Sequence, residues 1–473
     1  MKDRSHRRPV WQPGNLSRLI GFLKEVLRRV RVRGAVLVVL VVPLLIYVFR
    51  EVTHDALIVD PFTVPKRFQE AGLTPEVVAN RISDAVRQIE ITTQTRMKKD
   101  NLASFQDEGH IPGVEIPGTN IALKTVVDVT RTVLGIYPRH VGGDIVTQGT
   151  GPADVQSQAA VTLYFTQGRN RSRAISLVVS GSDVAVLVQR TAEIVLGEVN
   201  SYVLAAYREE HGQFDQSVEI VQRIAQDPSQ DGGHISAAYN LWGVVLDDQE
   251  KYDEACAKYR KAVDFAPKNP AAYYNWGVAL QKQKKYGEAG AKYRKAIELD
   301  PTDADAYANW GDVLDDQGRY DDACARYQKA VDLDPKKAAT YYNWGVVLQE
   351  LKKYDDACAK YQKAIDLDPK DADFYAAWAN VLDDQGKYDE ARAKYQSAAA
   401  LAPKDAAIQY NWGIVLQEQK QYDEACAKYR KAAELDPADA DAYANWGSVL
   451  WVQKKYGEAR KKFAIARRLR SSR

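Results

Sequence analysis

The sequence predicts an α-solenoid of helix–turn–helix repeats, preceded by a single transmembrane helix and a small α+β domain. Three observations predict this fold class. Tryptophan recurs every 34 residues through the second half of the chain, an uncharged apolar run occupies residues 34–49, and strand-like and helix-like segments alternate between residues 51 and 190. A repeat of this length suits a pair of helices, whereas a run of uncharged apolar residues suits a bilayer.

Composition excludes several classes of protein. The 473 residues are 45% apolar and 27% charged, which is typical of a globular protein and not of a disordered, collagen-like or polytopic membrane protein. Four cysteines are too few for a disulfide scaffold. The net charge of +2 argues against nucleic-acid binding. It hides an asymmetry, because residues 1–33 hold ten basic and two acidic residues.

Residues 34–50 are predicted to form a transmembrane helix. A membrane helix needs about 17–25 apolar residues, and the flanking arginines can extend the slightly short run by snorkelling. Because the basic residues precede the run, the N-terminus is expected in the cytoplasm and the C-terminal domains in the periplasm or outside the cytoplasm. This predicts a single-pass protein of the inner (cytoplasmic) membrane. A cleaved signal peptide is the alternative, but no small-x-small site follows the run.

Residues 16–30 place apolar residues at helical spacing among basic ones. This amphipathic segment would suit an anionic cytoplasmic leaflet, or it serves only as a topology signal; both interpretations stay open.

The chain is expected to divide into five parts. They are a basic cytoplasmic segment (1–33), the transmembrane helix (34–50), an α+β domain (51–195), a degenerate helical pair with a linker (196–235) and seven repeats (236–473). The repeats are bounded at 236–269, 270–303, 304–337, 338–371, 372–405, 406–439 and 440–473, and we call them units one to seven.

The α+β domain is predicted to have the order β-α-α-β-β-β-α. A helix is expected from Thr74, as N-cap, through Pro75 to about residue 90. A loop is expected over 91–119. The other predicted elements are strands at 56–64, 139–147, 158–166 and 173–180 and helices at 120–134 and from 182 to about 196.

Three short stretches of this domain are similar to amino-terminal domains of the TolB type. They are Pro61-Phe62, Gly72-Leu73-Thr74 and residues 141–146. The resemblance implies an accessory or ligand-sensing role. The scattered histidines and the isolated Gly149-Thr150-Gly151 give no metal or dinucleotide motif. No enzyme activity, cofactor or metal site is therefore predicted, although an unrecognised site within 51–190 stays a minor alternative.

The repeats share five kinds of position. Each has a tryptophan, a glycine after it except at Ala379, a small alanine, an aromatic ring four residues after that alanine and, in six units, a closing proline. The tryptophans are Trp242, Trp276, Trp310, Trp344, Trp378, Trp412 and Trp446. This pattern resembles the tetratricopeptide repeat family. Residues 198–231 resemble a degenerate extra unit, and the basic second helix of unit seven suits a solvent-facing cap.

All four cysteines follow the small alanine: Cys256, Cys324, Cys358 and Cys426. Packed helices lie about 8–10 Å apart, beyond the limit of about 7 Å between the Cα atoms of a disulfide. The sequence therefore predicts free thiols buried between units.

The family resemblance implies that partner contacts lie in a concave groove lined by the first helix of each unit. There, units two, four and six carry Tyr274, Tyr342 and Tyr410, followed by Gln281, Gln349 and Gln417. Units one, three and five instead carry acidic pairs, Asp247-Asp248, Asp315-Asp316 and Asp383-Asp384, and Asp312 adds a carboxylate in unit three. The acidic residues favour a partner with Lys or Arg, or they are simply solvated helix ends.

An asparagine precedes the tryptophan in five units: Asn275, Asn309, Asn343, Asn411 and Asn445. These residues resemble the asparagine ladder in the superhelix of O-linked N-acetylglucosamine transferase. In that superhelix, asparagines at the equivalent place hold a peptide backbone. An amide side chain can both donate to and accept from a peptide group. The alternative is that these asparagines only cap or solvate the helix.

These observations predict a membrane-anchored scaffold that binds an extended protein or peptide segment, possibly basic, in its repeat groove, without nucleic acid. The alternative is a periplasmic sensor whose α+β domain binds a small ligand and signals through the repeats.

Overall fold

The structure is a computed structural model that describes residues 57–66, 69, 73–99, 139–148, 158–167, 170–180 and 184–471. The predicted transmembrane helix, the amphipathic segment 16–30 and the predicted helix 120–134 lie outside these residues. No helix formed by the described residues has the length and apolar character needed to cross a bilayer. The chain has two compact units, the first ending at Pro267 and the second beginning at Lys268, and each is described by itself.

The first compact unit contains a four-stranded sheet in the order β1-β2-β3-β4. The strands are β1 Leu57–Val59, β2 Arg139–Gln148, β3 Gln158–Gln167 and β4 Asn170–Ser180. β1 runs parallel to β2, and the other pairs are antiparallel. The three predicted strands after residue 138 are confirmed. The predicted strand 56–64 is shorter than expected, and beyond β1 only Thr63 bridges to Asp144.

Two helices pack with this sheet, α1 Pro75–Lys99 and α2 Val184–Val199. α1 begins at Pro75 as predicted, with the Thr74 hydroxyl accepting from the Val77 N–H at 3.4 Å. The prediction of a loop over 91–119 is wrong for residues 91–99. No Gly or Pro interrupts them, and Thr93, only 1% exposed, extends the buried stripe of Ile89. Helix propensity and burial therefore outweigh the polar composition of this stretch.

The described residues of the first compact unit form four more helices: α3 Ser201–Glu210, α4 Phe214–Gln226, α5 Gly232–Asp248 and α6 Tyr252–Phe265. Val203 and Leu204 of α3 belong to the same hydrophobic core as the sheet. A polar link reinforces this packing, because Arg208 of α3 forms an ion pair with Glu193 of α2. Gln189 of α2 also donates to the Tyr207 hydroxyl at 3.0 Å. α3 is thus fixed to the α+β layer by both apolar and polar contacts.

The second compact unit is an array of six helix pairs, units two to seven. The pairs are α7 Pro270–Lys282 with α8 Tyr286–Leu299, α9 Ala304–Asp316 with α10 Tyr320–Leu333, α11 Ala338–Glu350 with α12 Tyr354–Leu367, α13 Ala372–Asp384 with α14 Tyr388–Leu401, α15 Ala406–Glu418 with α16 Tyr422–Leu435, and α17 Ala440–Val452 with α18 Tyr456–Ser471.

Local chemistry sets these boundaries. An N-cap carboxylate begins several first helices, as where Asp303 accepts from the Ala306 N–H at 3.0 Å. A residue with positive φ ends the first helix, glycine in unit three (Gly318, φ 69) and lysine in unit four (Lys352, φ 57). The proline after each second helix up to unit six keeps the next unit separate.

In units two to six, the core of the pair is a tyrosine of the second helix under the backbone of the first; in unit seven Phe463 takes this place. Tyr293, Tyr327, Tyr361, Tyr395 and Tyr429 are at most 1% exposed. A Cβ added at Gly311 would lie 2.7 Å from the Tyr327 ring, closer than packed atoms allow. The glycine after each tryptophan is therefore explained by close approach of this ring.

Candidate partner-binding face

The predicted site residues lie on the first helices of the second compact unit. We call the surface formed by α7, α9, α11, α13, α15 and α17 the first-helix face. First helices of consecutive units contact one another from α7 through α15. The predicted residues on this face are Tyr274, Asn275, Asn309, Asp312, Asp315, Asp316, Tyr342, Asn343, Asp383, Asp384, Tyr410, Asn411 and Asn445.

The alternation between even and odd units is explained by the buried tyrosine of the second helix. In even units its hydroxyl donates to the glutamine late in the first helix; the distance is 2.8 Å from Tyr293 to Gln281 and 3.1 Å from Tyr429 to Gln417. In units three and five it donates instead to a residue two positions after the tryptophan. In unit three this is Asp312, at 2.7 Å from the Tyr327 hydroxyl.

Unit five uses the same odd-unit arrangement with a different acceptor. The Tyr395 hydroxyl donates to the side chain of Asn380. The glutamines read from the sequence as groove residues therefore have an internal role in their own helix pair.

Three of the predicted asparagines bridge neighbouring units. Asn309 donates to the Tyr274 hydroxyl at 2.9 Å, and Asn445 donates to the Tyr410 hydroxyl at the same distance. Asn343 donates to the Asp312 carboxylate at 3.0 Å. Each of these amides keeps a second N–H and a carbonyl oxygen for other partners.

The two other asparagines differ. Asn275 is buried, only 6% exposed. Asn411 is half-buried, and its side chain makes no hydrogen bond to any described residue. Asn411 therefore has the one amide of the series that is both accessible and uncommitted within the described part of the chain.

The junction of units four and five lacks the asparagine bridge. Ala377 stands where Asn309 and Asn445 stand in units three and seven. The Tyr342 hydroxyl accordingly has no hydrogen-bond partner among the described residues, and its ring packs on Phe374 with 5.2 Å between centroids. Units four to six thus hold the uncommitted polar groups of the face.

The acidic residues form two clusters of like charge. Burial raises the pKa of the Asp312 carboxyl, against the hydrogen bonds from Tyr327 and Asn343. Burial and then the charge of Asp316 raise the pKa of Asp315. In unit five, burial and then the charges of Asp384 and Glu418 raise the pKa of Asp383.

A hydrogen bond from within the array reduces the charge repulsion in the cluster of Asp383 and Asp384. The Gln349 amide donates to Asp384 at 3.1 Å. The remaining carboxylates of each cluster repel one another, which contributes to their raised pKa values.

A ladder of cation–π contacts, which sequence reasoning missed, runs through every unit. A Lys or Arg lies sixteen residues after each tryptophan, and that spacing was the available signal. The Lys360 ammonium lies 3.5 Å from the centroid of the Trp344 ring, and the Lys428 ammonium lies 3.2 Å from that of Trp412. These contacts tie the second helix of each unit to the first.

The cysteines are free thiols, as predicted, but they are half-buried and not fully buried. Cys324, Cys358 and Cys426 pack against the next unit; Cys324 shares a hydrophobic cluster with Trp344. Burial raises the pKa of the Cys324 thiol, and the facing Trp344 indole opposes that rise. The described residues hold no group of His, Cys, Asp and Glu side chains arranged for a metal ion.

The fold and this face define a helical repeat protein whose array is suited to binding other proteins. The family profiles agree. A profile described as "TPR repeat" matches residues 245–284 and 311–352. Profiles described as "Tetratricopeptide repeat" match residues 270–303, 292–325, 338–371, 376–440 and 410–473. The C-terminal half of the chain therefore consists of tetratricopeptide repeats, which generally serve as non-enzymatic scaffolds for protein–protein interaction.

Solved structures with similar folds cover only part of this chain. MamA is 25% identical and matches 34% of this chain and 95% of its own, with a TM-score of 0.33. YrrB, a TPR protein with an unusual peptide-binding site, is 25% identical over 41% of this chain and 97% of its own, with a TM-score of 0.35. The pilF protein of Pseudomonas aeruginosa is 23% identical over 45% of this chain and 95% of its own, with a TM-score of 0.39. A comparison with curated proteins gives no match.

Proposed function

We propose that the chain is a membrane-anchored scaffold that binds an extended basic segment of a partner protein along the first-helix face. The observation that carries this proposal is the set of partly desolvated carboxylates whose pKa values are raised, above all Asp312, Asp315 and Asp383. Lysine or arginine side chains placed between them would replace repulsion by attraction.

Backbone recognition would come from the amides of the same face. Asn309, Asn343 and Asn445 each retain one N–H and a carbonyl oxygen, and Asn411 retains its whole amide. An extended peptide presents alternating donors and acceptors, which such amides can match. The proposed site is therefore centred on units four to six, where the polar groups are least committed.

Anchoring to the membrane rests on the sequence. The apolar run of residues 34–50 follows a segment with ten basic residues, so the repeats would lie on the side of the membrane opposite to residues 1–33. A periplasm-active reporter fused to the C-terminus tests this topology. Reporter activity confined to the cytoplasm would overturn it.

Peptide binding is tested with the full chain in detergent and two fluorescent twelve-residue probes, one with lysine and one with glutamate at every third position. The test variant replaces Asp315, Asp316, Asp383 and Asp384 with asparagine. The matched control replaces four exposed acidic residues of second helices, Glu298, Asp332, Asp366 and Glu434, with the corresponding amides.

The variant removes two half-buried and two exposed charges. At about 0.2–1 kcal/mol for each charge pair, the affinity for the lysine probe should fall by roughly 4- to 900-fold. The control variant should change the affinity less than about threefold. Equal binding of the glutamate probe, or unchanged binding by the Asp→Asn variant, would contradict the proposal.

Asn411→Ala tests backbone recognition separately. Because Asn411 makes no internal hydrogen bond, the variant should bind more weakly while retaining the stability of the array. Asn343→Ala is the comparison, since it removes a donor from buried Asp312 and should lower stability as well. Unaltered binding by Asn411→Ala would exclude this residue from the site.

A further inference from the structure

Helix α18 presents an exposed stripe whose residues differ from those of the corresponding stripe in units one to six. One side of its Phe463 ring lies against Gly447 of α17. We call Tyr456, Arg460, Phe463 and Arg467 of α18 the end stripe. They follow one another at intervals of four, three and four residues, so they share one helix face. All four are exposed, Phe463 by 36%.

Inside the array the same stripe receives the first helix of the next unit. In unit four it consists of Tyr354, Cys358, Tyr361 and Ile365, which lie in one hydrophobic cluster with Phe374 and Trp378 of α13. There the tyrosine equivalent to Phe463 is completely buried, at 0% exposure. The end stripe thus has the shape of a surface that accepts a helix.

Its chemistry has been changed at two positions. Arg460 replaces the cysteine and Arg467 replaces the aliphatic residue of unit four. Neither arginine forms an ion pair with a described residue. Residues 451–471 hold eight basic and one acidic residue, whereas the equivalent residues 417–437 of unit six hold four basic and five acidic residues.

An exposed apolar cluster adjoins the stripe at the turn before α18. Trp451 is 48% and Val452 55% exposed, and the Trp451 ring meets the edge of Tyr456 with 4.8 Å between centroids. The second helix of unit seven is therefore basic, as the sequence predicts, but exposed apolar side chains lie beside its basic residues.

We infer that the end stripe is a docking surface for an acidic amphipathic helix of a partner protein. The apolar rings supply the buried area, and carboxylates at the positions that face Arg460 and Arg467 would neutralise the two unpaired cations. A second copy of the chain joined through the same stripe is disfavoured, because it would bring four arginines and no carboxylate of the stripe into one interface. This surface lies on the last second helix and does not depend on the proposed peptide site.

The array itself supplies a probe for the test. In α13, Phe374 and Trp378 face the stripe of the preceding unit. A stapled fluorescent peptide with the α13 sequence and the changes Phe374→Glu and Trp378→Glu is the acidic probe, and the same peptide with lysine at both places is the basic probe. Fluorescence anisotropy measures binding of each to the full chain.

We expect the acidic probe to bind at least tenfold more tightly than the basic probe, and the double variant Arg460→Glu/Arg467→Glu to reverse this preference. Reversal cannot result from misfolding. The control Arg294→Glu/Arg430→Glu, with the same charge change on exposed second-helix positions, should keep the acidic preference. Absence of acidic-probe binding, or the same effect from the control, would overturn the inference. So would capture of the chain by phosphatidylglycerol vesicles through Arg460 and Arg467 without peptide binding.

Discussion

Replacing Tyr327 with phenylalanine removes one hydroxyl from the core of unit three and nothing else. The hydroxyl donates to the Asp312 carboxylate at 2.7 Å, and a hydrogen bond to a charged group contributes about 1.5–3 kcal/mol. Tyr361→Phe is the matched control. Its ring is equally buried, but its hydroxyl meets the neutral Gln349 amide at 3.4 Å, where about 0.5–1 kcal/mol is expected. Tyr327→Phe should therefore destabilise its unit by about 1–2 kcal/mol more than Tyr361→Phe.

Hydrogen exchange read by mass spectrometry is the appropriate assay, because repeat arrays open locally and a single global unfolding free energy does not describe them. Peptides from α9 and α10 report on the first variant, and peptides from α11 and α12 report on the second. The difference should shrink as the pH falls through the raised pKa of Asp312, because the protonated carboxyl makes only a neutral hydrogen bond. An equal or larger loss in Tyr361→Phe at neutral pH would refute the reasoning.

Three further predictions concern other parts of the molecule. Burial raises the pKa of Asp312 in the folded protein. The folded protein therefore holds this proton more tightly than the unfolded chain does, and the resulting stability is lost as pH rises through that pKa. Asp312→Asn should remove this pH dependence and should be more stable than the wild type in urea titrations at pH 7. Arg208→Ala should increase exchange in α2 and α3 by the equivalent of about 1–3 kcal/mol, because it leaves the carboxylate of Glu193, whose side chain is 13% exposed, unpaired; unchanged exchange would contradict this. Cys324, whose thiol pKa is raised by burial, should react with iodoacetamide at pH 8 several-fold more slowly in the native protein than in urea, as measured by mass spectrometry; equal rates would contradict its packing against the next unit.

The helix pairs could be predicted from the sequence because a large ring, a small residue and a proline recur at fixed places every 34 residues. Strands after residue 138 were predictable for a similar reason, since turn residues separate them. The end of α1 was not, because its last turns are polar and only the burial of Thr93 reveals their packing.

The site was predictable in position but not in the roles of its residues. Periodicity placed Asn309, Asn343 and Asn445 on one face, yet it could not show that each donates across a unit boundary. That contact depends on Tyr274, Asp312 and Tyr410, which lie 31 to 35 residues earlier. The cation–π ladder was also visible as a spacing, but only the structure shows that the lysines lie over the rings.

The hydrogen bonds that asparagine side chains donate between neighbouring units are of two kinds. Asp312 of unit three accepts from Asn343 of unit four. At the junctions of units two and three and of units six and seven a tyrosine hydroxyl accepts from an asparagine instead, and the junction of units four and five lacks this contact. Deleting 34 residues as unit four would place Ala377 opposite Asp312 and leave that carboxylate without its bridging donor. Deleting 68 residues as units four and five would place Asn411 there and restore the junction. At this junction, therefore, removing 68 residues preserves the bridging contact that removing 34 residues breaks.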